Sequence, residues 1–299
     1  MGYWQKMAVR NAQAKLCLAH LIEEKLGFSI TKADSLRLNI NSDTNYNSDG
    51  RKGAGFTLGQ DASLLRRAIK RKQLMKVQRQ KNIEAIMCEA MRVCPEVTSQ
   101  GLPDADWVDR FIHLAEDTSN SHMQSLWAKI LVGETISPGT FSIKSLQTLK
   151  QMTQKEADAL HRASGLCAYS EKDDSHIIIL GFYKRPSFFD LLRKGNRETI
   201  NLSKAGLSFP NILTLMDINL IYRQEIESAE LKSDQSYTFR FHRQKLLLSA
   251  KHNDLVMSYY KFTQTGDELK KLLSVPLNKS YKTALQQGFE TEFQLNWTD

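Results

Sequence analysis

The residues with the strongest claim to chemistry lie between positions 104 and 117: Asp104, Asp106, Asp109, His113, Glu116 and Asp117. On a helix Asp106 and Asp109 share a face. His113, Glu116 and Asp117 fall at i, i+3 and i+4, a spacing that suits a metal ion or a carboxylate pair acting as acid and base. A plainer use competes with this one. Carboxylates at a helix N-terminus satisfy free backbone N–H groups and face the positive end of the dipole, which accounts for Asp104 and Asp106. Glu116 and Asp117 stand where helix gives way to turn, a place where solvated acids are common, with Lys129 or Arg162 as candidate partners. The balance favours no catalytic residue and no metal site here.

Other candidates fail on spacing. His20, His122, His161, His176, His242 and His252 form neither H-x-H nor H-E-x-x-H, and no G-x-S-x-G is present. Gly53, Gly55 and Gly59 mimic a phosphate loop but lack its preceding buried strand and its Gly-Lys-Ser/Thr ending. Cys17, Cys88, Cys94 and Cys167 are scattered without a C-x-x-C, so buried thiols are expected rather than a disulfide framework or a zinc site. Neither a cofactor nor a small-molecule substrate is expected.

Charge is the more informative signal. Residues 1–100 hold 17 Lys/Arg and 9 Asp/Glu, a surplus of 8, which leaves 24 of each for residues 101–299. The whole net charge of +8 therefore sits in the first third of the chain. Between Arg66 and Lys81, eight of sixteen residues are basic and none is acidic: Arg66, Arg67, Lys70, Arg71, Lys72, Lys76, Arg79 and Lys81. Read as helix, that run spans about 22 Å at 1.5 Å per residue. It can be a solvated face, or it can meet a polyanion: nucleic acid, an anionic membrane or an acidic protein. As a nucleic-acid site it implies weak, salt-dependent binding without sequence preference.

The elements that would position these residues are legible from periodicity. Trp107, Phe111 and Leu114 recur at helical spacing, and Thr118-Ser119-Asn120 breaks the pattern. Met123, Leu126, Trp127, Ile130 and Leu131 form a second apolar face, which Ser137-Pro138-Gly139 ends. A third helix carries Ile143, Leu146 and Leu149, and Thr153 with Glu156 makes the capping box of a fourth. Upstream, residues 3–26 read as an amphipathic helix with Leu16, Ala19 and Ile22 among its apolar positions. A long helix follows from Asp61 to about Cys94, with packed ends at Leu65 and Ile69 and at Ile83, Ile86, Met87 and Ala90.

Downstream, His176–Tyr183 is a buried strand, Ser208–Asp217 a helix with Pro210 in its first turn, and Asn219 a left-handed residue leading into a strand over Leu220–Glu225. Tyr237–Ser249 and Leu255–Phe262 alternate as strands, and Thr265 to Glu268 reads as a capping box. The fold class is α+β, mainly α. The divisions expected are an N-terminal helical segment over 1–40, a flexible linker over 41–60, and the basic helix with a central bundle over 61–165. A winged-helix-like domain follows over 166–275, then a tail over 276–299 whose Phe289, Phe293, Leu295 and Trp297 dock. The apolar runs are too short to span a bilayer, and the N-terminus lacks the apolar core of a signal peptide, so no membrane association and a cytoplasmic location are expected.

Three runs carry a resemblance: D-x-D-W-x-x-R-F from Asp104, A-E-D-x-S-x-x-x-M-Q-x-L-W-A-K-I-L-x-G-E from Ala115, and P-G-x-F-S-x-x-x-L-x-x-L-K-x-M from Pro138, with R-Q-K-N-I-E from Arg79 just upstream. Together they resemble an uncharacterised bacterial family, a domain of unknown function. L-W-A-K-I-L followed by F-x-x-x-L-x-x-L is distantly similar to alpha-type abortive-infection proteins, which implies phage defence. The order of helix, strands and K-F-T-Q-T-G-D-E-L from Lys261 is similar to a winged-helix module, yet its helix offers only Asn211 and Thr214 as polar readers of DNA. The expected function is a non-enzymatic bacterial interaction protein, linked through the resemblance to phage defence, with a protein partner or a second copy. The alternative is a nucleic-acid-binding regulator that uses residues 66–81 and the winged-helix-like domain.

Overall fold

In a computed structural model, residues 14–26, 61–97, 99, 101–185 and 197–298 are described. The expected linker over 41–60 and positions 3–13 of the helix expected over 3–26 lie outside them. The chain divides into two units, Met1–Ile143 and Lys144–Asp299.

The first unit is helical: α1 (Ala14–Leu26), α2 (Asp61–Val93), α3 (Ala105–Ala115) and α4 (Ser121–Ile136). Side chains start the last two. Asp104 accepts from the Trp107 amide at 3.0 Å, and Asn120 accepts from the Met123 amide at 3.1 Å, each satisfying a donor that the first helical turn leaves free. The core forms where the apolar stripes meet. Trp107 stacks on Phe111 at 5.3 Å, and Phe111 meets Trp127 edge-on at 5.5 Å, with Ile130 and Leu131 fully buried beside them and Leu126 only half-buried. On α1 the buried residues are Ala14, Cys17, Leu18, Leu21 and Ile22, so of the expected positions Ile22 faces in, Ala19 is half-buried and Leu16 faces out. On α2 the C-terminal half packs as expected through Ile83, Ile86, Met87 and Ala90. The N-terminal half does not: Leu65 is 61% exposed and Ile69 48%.

The second unit is α+β. Helices α5 (Ile143–Gln151) and α6 (Gln154–Ser164), expected as part of the central bundle, belong with the sheet. The Ser145 hydroxyl donates to the buried Glu268 carboxylate at 2.6 Å, tying α5 to this unit. The capping box at the start of α6 is present in both directions, with the Thr153 amide donating to Glu156 at 2.6 Å. Thr153→Ala should therefore cost about 1 kcal/mol in thermal or urea unfolding, the usual value of such a cap.

Eight strands form one antiparallel sheet: β1 (Ala168–Ser170), β2 (Ser175–Lys184), β3 (Arg197–Thr199), β4 (Ile226–Glu227), β5 (Ser236–Phe241), β6 (Gln244–Ala250), β7 (Leu255–Lys261) and β8 (Phe293–Thr298). Their order is β4-β7-β2-β1-β5-β6-β8, with β3 also on β2. β2, the β-branched run, lies near the centre and is buried along most of its length. Around the sheet stand a 3-10 turn at Leu202–Ala205 and helices α7 (Phe209–Asp217), α8 (Gln264–Lys270) and α9 (Lys279–Phe289). Tyr281 of α9 is buried and donates to the Ile179 carbonyl at 2.8 Å, while Phe182, Phe289 and Phe293 pack together at 4.9–5.2 Å.

Several expectations are corrected here. Leu220–Glu225 is not a strand; only a bridge from Ile221 to Phe262 survives, because Asn219 turns the chain at φ +56° and β4 begins later. Tyr237–Ser249 is a hairpin, broken at His242 where φ is positive. Helix α8 is capped by Thr263, which accepts from the Gly266 amide at 3.1 Å, and not by Thr265, which is buried inside the first turn. The tail contains a full helix, α9, before its strand. Residues 166–275, expected as a winged-helix-like domain, supply β1 to β7 of this sheet, and β8 from the expected tail completes it.

Candidate interaction surface

Every residue from Leu64 to Gln78 is exposed, so the leading half of α2 stands clear of the described residues as an arm about 22 Å long. No ion pair or hydrogen bond among the described residues engages the side chains of Arg66, Arg67, Lys70, Arg71, Lys72, Lys76 or Lys81. Like charges at i and i+4 (Arg66 with Lys70, Arg67 with Arg71, Lys72 with Lys76) each destabilise the helix by a few tenths of a kcal/mol. The eighth cation is used differently. Arg79 is half-buried and reaches Asp117 at 2.8 Å and Glu116 at 3.2 Å.

That contact accounts for two of the five acids between 104 and 117, and separate contacts account for two more; Asp106 stands in the first turn of α3. Asp104 is a helix cap, Asp109 pairs with Lys25, and Glu116 and Asp117 hold Arg79, with His113 3.6 Å from Glu116. One turn on from Arg79, the buried Asn82 donates to the Glu116 carbonyl at 2.8 Å, satisfying an acceptor just past the end of α3. The R-Q-K-N-I-E run is thus a latch between α2 and α3. Neither Lys129 nor Arg162 is needed to account for the two acids.

The run ending G-E and continuing P-G-x-F is a second structural device. Glu134 is buried, and its two oxygens accept from the Gly139 amide at 2.6 Å and the Phe141 amide at 2.9 Å. The Trp107 indole donates to the Phe141 carbonyl at 2.7 Å, closing the turn onto α3. Glu134→Gln keeps the shape but turns one acceptor into a donor aimed at a backbone N–H. It should cost about 1.5–3 kcal/mol in urea unfolding, the range for a lost hydrogen bond to a charged group.

Sequence reading missed three polar arrangements in the second unit, because their members are far apart in the chain. His176 Nδ1 lies 2.7 Å from Asp267, which also accepts from the His176 backbone amide at 2.9 Å. Asp173 accepts from Ser170 at 2.7 Å and from the Tyr259 hydroxyl at 3.2 Å, and burial followed by the Asp173 charge pushes Tyr259 up to about 12. A cavity of about 420 Å³ opens beside them, lined in part by Tyr237, Phe239 and Met257. Glu268, the third, receives Ser145 and Gln264. Two of the three pair a serine hydroxyl with a carboxylate, and the third pairs a histidine with one. Burial pushes the Cys167 thiol up to about 11 and raises Cys94, so neither is a ready thiolate. Among the described residues no group of three or more His, Cys, Asp or Glu could hold a metal ion, and no helix is long and apolar enough to cross a membrane.

Also missed was the apolar character of the arm: Leu64, Leu74, Met75 and Val77 are exposed together with Leu65 and Ile69. The signal was available as the alternation L-L-R-R-A-I-K-R from Leu64, two apolar and two basic residues in turn.

The family described as protein of unknown function (DUF2806) matches residues 66–286, well over half of the chain. No curated protein and no solved structure matches it.

Proposed function

We propose, since the chain belongs to the DUF2806 family of proteins of unknown function, that it is a non-enzymatic interaction protein whose α2 arm meets an anionic macromolecular partner. The observation that carries this is the arm itself: fifteen consecutive exposed residues with six cations, no acid and retained mutual repulsion. An isolated helix of this length is marginal in water, and like charges make it more so. An anionic partner would relieve the repulsion and hold the helix. Among the polar residues of the family motifs, Arg79, Asn82, Asp104, Glu116, Asp117 and Glu134 are engaged in latches and caps, which supports a role outside catalysis for these six.

Nucleic acid is the second reading, favoured by the run of cations without acids. Against it, α7 presents Phe209 and Leu213 to solvent, 60% and 43% exposed, where a DNA-reading helix would present basic or amide side chains. The likeness of L-W-A-K-I-L to abortive-infection proteins supports extending the proposal to phage defence, as a likeness of packing residues rather than of a reaction site.

The test is a titration of the full chain with labelled poly-L-glutamate and, in parallel, a short DNA duplex. Arg67→Glu, Lys70→Glu and Arg71→Glu together should weaken binding at least about tenfold, as loss of rim charges does, while the melting temperature holds or rises from relieved repulsion. Unchanged affinity in the triple variant would remove the arm from the function.

A further inference from the structure

The exposed half of α2 and its buried half share one face. Successive residues turn by about 100°, so Asn82, Ile83, Ile86, Met87 and Ala90, which are buried, fall on one side of the helix. The same side, followed toward the N-terminus, carries Arg79, Lys76, Met75 and Lys72 and then Ile69, Ala68, Leu65 and Leu64. Over the first two turns the helix is cleanly divided: Leu64, Leu65, Ala68 and Ile69 on this side, Arg66, Arg67, Lys70 and Arg71 on the other. The side chains that α1 and α4 bury farther along are here continued by apolar residues that are 57%, 61% and 48% exposed at Leu64, Leu65 and Ile69.

Phosphate binding does not explain this pattern. A polyanion read through its charge alone needs cations, and three large exposed apolar side chains on one face add nothing to it. They cost solubility and suit apolar burial. A second copy of the arm is a poor occupant, because pairing two such helices would bring two acid-free basic runs together. Charge and apolar content are jointly matched by a helix with an apolar ridge and flanking carboxylates, lying along α2 as an extension of its own bundle contact.

We infer that the leading turns of α2 dock an acidic amphipathic helix of a partner protein, with Leu64, Leu65 and Ile69 as apolar anchors and Lys72 and Lys76 meeting its carboxylates. This rests on the arm being the contact element, and names what it contacts. Leucine-type anchors at i, i+1 and i+5 fit between the i and i+4 ridges of a facing helix, as in intramolecular helix packing. The basic residues on the far side, Arg66, Arg67, Lys70 and Arg71, raise the rate of encounter more than they hold the complex.

The test uses the full chain and three probes: a designed peptide with leucines at helical spacing and glutamates elsewhere, poly-L-glutamate, and a short DNA duplex. The designed peptide should bind most tightly. Leu65→Ser with Ile69→Ser should weaken it by at least about tenfold, as loss of central anchors does, and leave poly-L-glutamate affinity unchanged. Both positions are exposed, so this variant folds, and its far-ultraviolet dichroism is the check. Equal loss toward all three probes, or none toward the peptide, overturns the anchor assignment while leaving the electrostatic arm in place. Tighter binding of the duplex than of the peptide overturns the protein partner. Slow amide exchange over residues 64–78 in the free chain also overturns it, by showing that the chain covers its own arm. Failure of every probe removes the arm itself as a contact element.

Discussion

Replacing Trp127 with Ala should destabilise the protein by about 3–5 kcal/mol, the range for emptying a large buried aromatic site. The side chain is fully buried, Phe111 packs against it edge-on at 5.5 Å, and Trp107 stacks on Phe111 in turn. Its removal leaves a void between α3 and α4 that the stacked pair cannot fill without leaving its own contacts. Trp127→Phe separates packing from polarity. The indole N–H of Trp127 is buried without a hydrogen-bond partner among the described residues, so replacing it relieves a desolvated donor. The milder variant should cost only about 1–2 kcal/mol. Urea unfolding read by tryptophan fluorescence gives both numbers. A loss below about 1 kcal/mol for the alanine variant would mean that this cluster does not hold the first unit together.

The second large effect is expected in the other unit, at Gly266. A Cβ at this position would lie 1.9 Å from the Leu220 carbonyl oxygen and 2.9 Å from its carbon. The approach is fixed from both sides: the Thr263 amide donates to the Leu220 carbonyl at 3.0 Å, and the Thr263 hydroxyl donates to the Asn219 carbonyl at 2.7 Å. The chain leaving α7 is thereby seated on the first turn of α8. Any side chain must push backbone from backbone in a buried place, and Gly266→Ala should cost about 3 kcal/mol or more, at the upper end for overpacking. Gly288→Ala is the control. It stands in α9 with Glu198 Cγ the nearest atom at 3.6 Å, an ordinary contact, so helix propensity should make it neutral or stabilising by up to about 1 kcal/mol. Loss of soluble protein in the first variant with a normal melt in the second is the expected pair. Two normal melts would mean that α8 and the 219–220 turn are not in contact.

Much of the fold was legible because its signals are local. Thr153 and Glu156, or Asp104 and Trp107, announce their helix ends within four residues, and the apolar stripes of α3 and α4 follow from period alone. The errors arose where tertiary packing decides. The stripe of α1 lies at 14, 17, 18, 21 and 22 because α2 and α4 bury that side, and Leu16 reads equally well until they are in place. Helix α9 was obscured because its own composition is polar, and it is Tyr281, Leu285 and Phe289 against the sheet that hold it. His242 gave no turn signal, since the left-handed position in a hairpin favours glycine or asparagine and here takes histidine.

The candidate surface was half legible. The basic run is visible in composition, and its exposure follows from the lack of a continuous stripe. That Arg79 leaves the run to hold Glu116 and Asp117 could not be read, because 38 residues separate Arg79 from Asp117. Leu65 and Ile69 were expected to pack because leucine and isoleucine usually do. Their exposure is the clue to a partner that periodicity alone does not give.

A salt titration asks most directly whether the arm binds anions through its cations. Only part of the helix faces any one ligand, so about three to five contacts form, and affinity for a DNA duplex should fall roughly 40- to 500-fold over a fourfold rise in salt. Affinity for poly-L-glutamate should fall in the same direction, and the triple charge-reversal variant should bind both at least about tenfold more weakly. A flat salt response in the unaltered chain, or no binding at the lowest salt, would contradict the account.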